Sequence, residues 1–341
     1  MKHIKNLLFL LLPLTLQAQI SFEKGTLSEA FARASVLRKP VFVMIYADGC
    51  PHCEHYQKTF DVNRNVGAFY NRNFVNYRVE VNSEEGRKFR ANRKIYVMST
   101  PLMTFWSPDS TLLSITPAGD EQNNEAGILE FAGKALKAET QWETMKRTFS
   151  EGYSDPDFLV NVAYLSRYTS DTTINLAAMR KYGAFLRDKD FENDGFLVLQ
   201  KVIIDDENPL FLYAVNNLPL YYSKYGEGEV NRTLENIVMF SLYSGRASGF
   251  SLLKLAFMKE VLKKIKVPEK SIRGRFLIPE TSAMFKKGET EKAVKLINDF
   301  FRSQGQVSRE EAGFIKKYVS NYTSDSKILA SIQWITQQAG R

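Results

Sequence analysis

Two kinds of periodicity divide the chain. From Ser21 to about Ala138, short apolar runs alternate with amphipathic stretches, the pattern of an α/β unit. Leu27, Ala30, Phe31, Ala34 and Leu37 share one helical face. Before them stands Thr26-Leu27-Ser28-Glu29, a capping box in which Thr26 accepts from the Glu29 N–H and the Glu29 carboxylate reaches back. Pro40 ends that helix, and the unbroken apolar run 41–46 predicts a strand covered on both faces. Val75, Tyr77, Val79 and Val81 alternate with Asn76, Arg78 and Glu80, which predicts a half-buried strand. Residues 102–106 and 111–115 flank Ser107-Pro108-Asp109-Ser110 and form a predicted hairpin. Ile128, Phe131, Ala132, Ala135 and Leu136 mark a closing helix.

Beyond about residue 141 the strand signals vanish. Helices are predicted around 157–168, 172–187, 210–224, 230–244, 249–266, 279–287, 289–303, 308–320 and 325–337. Asp155-Pro156 and Asn208-Pro209 each place an N-cap before a proline at the first helical position. Short helices joined by brief polar turns imply stacked helical hairpins. Residues 288–300 resemble the second half of a tetratricopeptide unit, although no 34-residue period runs through the segment. The expected division is a leader at 1–18, an α/β domain at 19–140 and an all-α domain at 141–341, an α-solenoid or tetratricopeptide-like array.

The leader follows from Lys2 and Lys5, the apolar run from Leu7 to Leu16, and a small residue at Ala18. That layout is a secretory signal peptide, too short in its apolar part for a membrane helix. The mature chain is therefore expected to be exported, periplasmic or secreted, without a transmembrane segment, into a compartment where disulfides persist.

Composition narrows the function. A chain of 341 residues, 44% hydrophobic and 25% charged, belongs to the globular class at roughly two domains. Forty-six Lys and Arg against 38 Asp and Glu leave +8, too small an excess to indicate nucleic acid. Across residues 254–275 eight cations face Glu260 and Glu269, a local +6 that would suit an acidic partner or membrane surface or, more simply, a solvated helix face.

Two cysteines, Cys50 and Cys53, exclude a disulfide-stapled scaffold and a four-cysteine zinc site within one chain. The segment Cys50-Pro51-His52-Cys53 follows the buried strand and opens a helix. Unpaired N–H groups and the macrodipole there favour a thiolate at Cys50, with a pKa in the range of about 3.5 to 7.5. Pro51 loses nothing at the first helical turn, and a protonated His52 adds positive charge. Cys50 is then the exposed nucleophile and Cys53 the buried resolving thiol. An inert structural disulfide, or a metal site using Cys50, Cys53 and His55 that still lacks a fourth ligand, are the competing readings.

The strand at 41–46, Cys-Pro-His-Cys at a helix start and Thr100-Pro101 before a strand resemble the thioredoxin-fold family of exported thiol–disulfide oxidoreductases. The resemblance implies a central mixed sheet flanked by helices. It also implies a cis Pro101 facing the cysteines, a Thr100 that contacts substrate, protein thiols and disulfides as substrates, a redox partner protein, and no cofactor. Cys-Pro-His-Cys is similar to the motif of the periplasmic disulfide-forming oxidase, whereas Thr before the cis proline resembles the disulfide isomerases. Two departures stand out: Met44 where the family has a buried acid, and Gly49 where an aromatic residue precedes the first cysteine. Proton removal from Cys53 would then need Glu54, His55 or water, and Asp48 would oppose part of the thiolate stabilisation. The alternative function is a non-catalytic scaffold whose helical domain binds a partner.

Overall fold

The computed structural model describes residues 19–186, 191 and 195–338, so the leader at 1–18 lies outside the described residues. Four strands, β1 (Val41–Tyr46), β2 (Val75–Glu80), β3 (Leu102–Trp106) and β4 (Leu112–Pro117), form one sheet in the order β2-β1-β3-β4. The β1–β2 pair is parallel, and β1–β3 and β3–β4 are antiparallel. The sheet is therefore mixed, with β1 inside it, and the remainder of the described chain is helical.

Strand periodicity sorts the core. Val41, Val43 and Ile45 pack on one face with Val75, Tyr77, Val79, Leu102 and Trp106, under helices α1 (Leu27–Leu37) and α4 (Glu84–Arg93). Phe42 and Met44 point to the other, with Met103 and Phe105, against α2 (Pro51–Val62), α3 (Arg64–Asn73) and α5 (Glu125–Leu136). The unbroken apolar run of β1 thus reflects a strand with both faces covered. At the start of α1 both halves of the Thr26–Glu29 capping box are made, and the hydrogen bonds from Thr26 hold the Glu29 carboxyl below the usual range.

Strand β2 departs from the half-buried expectation. Asn76 is buried, and its side chain donates to the Ser21 carbonyl at 3.3 Å and to Asn71 Oδ1 at 3.1 Å. The chain before α1 runs beside β2, with Phe22 bridged to Asn76, and covers positions that alternation assigns to solvent. Of this strand only Arg78 is exposed. Helix α4 carries no clear apolar stripe in sequence. α4 buries only Gly86 and Phe89 among ten residues, too few to reveal a period.

The chain forms two compact units that divide between Lys181 and Tyr182, about forty residues later than the 140/141 boundary expected from the loss of strand signals. Helices α6 (Trp142–Ser150) and α7 (Pro156–Tyr168) supply Trp142 and Tyr168 to the same buried cluster as Val43 and Trp106. Helical periodicity changes at 141, whereas packing continues past it. Asp155 caps α7 through the Phe158 N–H at 3.0 Å, and the Tyr96 N–H donates to the Tyr168 carbonyl at 2.8 Å.

In the second unit the predicted helix 210–224 is two helices, Pro209–Asn216 and Leu218–Tyr225, because Pro219 has no N–H to continue the first. Pro279, expected near a helix start, lies instead inside Glu269–Lys286, a helix that begins ten residues earlier. The segment 325–337 is likewise divided, into Ser326–Ser331 and Gln333–Gln338. Helices Glu269–Lys286 and Thr290–Gln304 form a hairpin whose turn places Gly288 at φ +76°, a conformation that favours glycine. Among the described residues no helix is long and apolar enough to cross a membrane.

Candidate active site

Strand β1 delivers its last residue, Tyr46, to a turn in which Gly49 has φ +69°, and the Cys50 N–H closes this turn on the Ala47 carbonyl at 3.3 Å. A side chain at position 49 would be strained at that φ, which is the local reason no aromatic residue stands there. Cys50 is the N-cap of α2, and its sulfur accepts the Cys53 N–H at 3.2 Å. Pro51 occupies the first helical position. The cysteines are joined as a disulfide, their Cα atoms 5.3 Å apart. Cys50 is partly exposed, while Cys53 is only 5% exposed and packs in the apolar cluster with Met44, Tyr56 and Phe60. Of the two sulfurs only that of Cys50 can be met by a macromolecule.

Thr100 and Pro101 come to the pair from the start of β3. The peptide between them is cis, Pro101 is buried, and the Thr100 hydroxyl donates to Cys50 Sγ at 3.4 Å. The Thr100 carbonyl oxygen lies 3.6 Å from the same sulfur, so a reduced Cys50 has an acceptor for its own proton. In the thiolate state two donors, the Cys53 N–H and the Thr100 hydroxyl, converge on one sulfur at a helix N-terminus. All three features stabilise negative charge there.

A third wall comes from the β4–α5 connection. The Ala118 N–H donates to the Pro101 carbonyl at 3.1 Å, the Tyr56 hydroxyl donates to the Gly119 carbonyl at 2.7 Å, and Asp120 Oδ1 lies 2.7 Å from His52 Nδ1. Burial, followed by the Asp120 charge, pushes the Tyr56 phenol well above its usual range, so it remains a donor. None of these three contacts is legible in the sequence, because each joins different elements, and the two made by α2 span more than sixty residues. The one local sign is that His52 and Tyr56, spaced i,i+4, share a face of α2.

Behind Cys53 a cleft of about 170 Å³ is lined by Met44, Asp48, Cys53, Glu54, Gln57 and Arg78, among others. It is large enough for several waters. Met44 pairs in register with Arg78 on β2, which puts the two side chains side by side on one face. The guanidinium is held by Gln57 Oε1 at 2.8 Å and lies 5.8 and 5.9 Å from the ring centres of Phe22 and Tyr46. A cation thus stands next to the position where the resemblance implies a buried acid. Of the bases considered for Cys53, Glu54 lines this cleft and His55 does not.

The basic run in the second unit is largely self-neutralised. Lys254 pairs with Asp206 and Glu207, Lys259 with Glu280, Lys263 with Glu260, Lys266 with Glu227 and Arg275 with Glu235. Lys264, Lys270 and Arg273 carry no ion pair among the described residues, and Arg273 donates to the Ser303 hydroxyl oxygen at 3.4 Å. The +6 counted along the sequence is therefore not a +6 surface, since most of the partners lie outside 254–275.

Residues 22–108 match the thioredoxin-like family. No curated protein matches the chain. Among solved structures it is similar to a candidate disulphide isomerase from Bacteroides thetaiotaomicron, at 21% identity with a TM-score of 0.31, over 36% of this chain and 96% of that one. A protein described as DsbH oxidoreductase matches at 18% identity and a TM-score of 0.30, over 36% and 88%. A disulphide isomerase from Xylella fastidiosa matches at 16% identity and a TM-score of 0.29, over 35% and 98%.

Proposed function

We propose that this chain, whose N-terminal unit is thioredoxin-like, is an exported thiol–disulfide oxidoreductase that exchanges disulfides with protein substrates through Cys50 and Cys53. The observation that carries the reading is the asymmetry of the pair: one sulfur is partly exposed and faced by Thr100, and the other is buried with a cleft of about 170 Å³ behind it.

In the oxidising direction a substrate thiolate attacks Cys50 Sγ, the S–S bond breaks, and Cys53 leaves as a thiolate that takes a proton from the cleft. A second substrate thiolate then attacks the substrate sulfur of the mixed disulfide and expels the Cys50 thiolate. The substrate has lost two electrons and the cysteine pair holds them. The reducing direction reverses each step, with Cys53 giving its proton to the cleft before it attacks Cys50. The electrons reside in the pair, so a redox partner protein is needed to reset it. The export reading rests on the pattern of residues 1–18, and the helical second unit suits a role in positioning a protein partner.

The test is capture. Cys53→Ala leaves Cys50 without a resolving thiol, and mixed disulfides with substrate proteins are expected on non-reducing gels of exported fractions. Cys50→Ala is expected to capture none. Equal labelling of the two variants would sink the reading, as would a wild-type pair whose potential lies far below about −300 mV, the range of structural disulfides.

A further inference from the structure

The Cys-Pro-His-Cys motif leaves the poise of the pair open, and a residue outside the motif bears on it. Asp120 opens a short 3-10 turn, Asp120–Gln122, on the connection between β4 and α5. The placement of its carboxylate against His52 is anchored rather than incidental. The preceding residue is held through its carbonyl by the buried Tyr56, and the one before that is bonded to the Pro101 carbonyl. One face of α2 therefore grips two consecutive residues of the connection, Gly119 through Tyr56 and Asp120 through His52.

We propose that Asp120 sets the redox poise of the cysteine pair: paired with His52, it cancels the positive charge that this imidazole would hold beside Cys50, and makes the pair less oxidising than its motif alone implies. The assignment rests on the thiol–disulfide reading above and adds to it a residue that determines the direction of exchange. Other charged groups near the pair are Asp48 on the turn before Cys50, Glu54 and His55 on α2, Glu121 beside Asp120, and Arg78 on the Cys53 side with Gln57. Of these, Asp120 is the group that pairs with the His52 ring, at 2.7 Å.

The sign follows from the equilibrium. Two glutathione molecules reduce the protein disulfide, each giving one electron and one proton, and become glutathione disulfide. Whatever stabilises the Cys50 thiolate favours the reduced protein and makes the pair more oxidising. When the His52 ring carries its proton, it and the Asp120 carboxylate together present no net charge to that sulfur. Asp120→Asn leaves a bare cation and His52→Gln a bare anion.

The experiment is the equilibrium of full-length wild type, Asp120→Asn, Asp120→Glu, His52→Gln and the double variant Asp120→Asn/His52→Gln with glutathione at pH 5.5 and pH 8. For an exposed pair the expected shifts are about two- to fivefold in the equilibrium constant. At pH 5.5 Asp120→Asn shifts toward the more oxidising side and His52→Gln toward the less oxidising. The double variant and Asp120→Glu stay within wild-type error. At pH 8 the effect of His52→Gln is expected to shrink while Asp120→Asn stays more oxidising. An Asp120→Asn constant equal to that of wild type, or shifted the other way, overturns the assignment of Asp120 while leaving the exchange reading in place. A wild-type pair that fails to equilibrate with glutathone-scale reductants at all overturns that underlying reading instead.

Discussion

The hydroxyl of Thr100 donates to the sulfur of Cys50 across 3.4 Å, although fifty residues of chain separate the two. The sulfur is thus met from two sides, by the N-terminal turn of its own helix and by the residue before Pro101. Thr100→Val keeps the shape and removes the donor. The loss of a hydrogen bond to a charged group, weakened here because the acceptor is sulfur, is expected to cost the thiolate about 1 kcal/mol. The Cys50 pKa in reduced protein then rises by about 0.7 unit. Thiolate absorbance near 240 nm followed against pH measures it, and an unchanged midpoint would mean that the contact is idle.

Arg78 lines the cleft behind Cys53, a cleft to which Cys50 does not contribute. Arg78→Met removes a cation from the side where the second thiol must lose its proton. The release of a mixed disulfide is expected to slow by about two- to fivefold, the scale of a partly screened charge. Formation of the mixed disulfide should keep its wild-type rate. Single-turnover kinetics with a small disulfide separate the two steps, and equal slowing of both would argue for a general disturbance of the fold.

Tyr70 is fully buried, donates to the Ile128 carbonyl at 2.8 Å, and has its phenol pushed well above the usual range by that burial. The folded state holds the proton while the unfolded chain releases it near pH 10. This residue's contribution is therefore fully present below pH 10 and is lost as pH rises further, at about 1.4 kcal/mol per pH unit. Tyr70→Phe is expected to be less stable than wild type at pH 8, by about 1 kcal/mol for the lost hydrogen bond. Between pH 10 and 11 it should lose stability less steeply. Urea unfolding at three pH values checks both parts, and parallel pH profiles would refute the second.

Trp142 is 4% exposed and belongs to the cluster that contains Val43 and Trp106. Trp142→Ala is expected to cost the N-terminal unit about 3 kcal/mol or more. A chain ending at 181 should unfold at higher denaturant than one ending at 140, which lacks both Trp142 and Tyr168. Equal midpoints would restore the earlier boundary.

The elements that were legible in the sequence are those whose signals are local. The capping box at Thr26 and Glu29 uses atoms three residues apart, the apolar run of β1 announces a strand covered twice, and the cysteine spacing places two sulfurs within one helical turn. The misread elements depend on what packs where. Asn76 is polar and buried because the chain at 20–23 lies beside β2. Helix α4 shows almost no stripe because it buries two residues. The helix around Pro279 continues through a residue that usually marks a boundary.

The sequence by itself determined an α/β unit followed by helices and a cysteine pair at a helix start, because backbone periodicity and helix ends are properties of neighbouring residues. Tertiary structure alone decided which groups face each sulfur. It brought Thr100 to Cys50, set Arg78 beside Met44, closed Asp120 on His52 and neutralised the basic run with distant carboxylates. Each of these is a meeting of segments far apart in the chain, and at such separations contact is settled by how surfaces pack, which no local pattern of residues records.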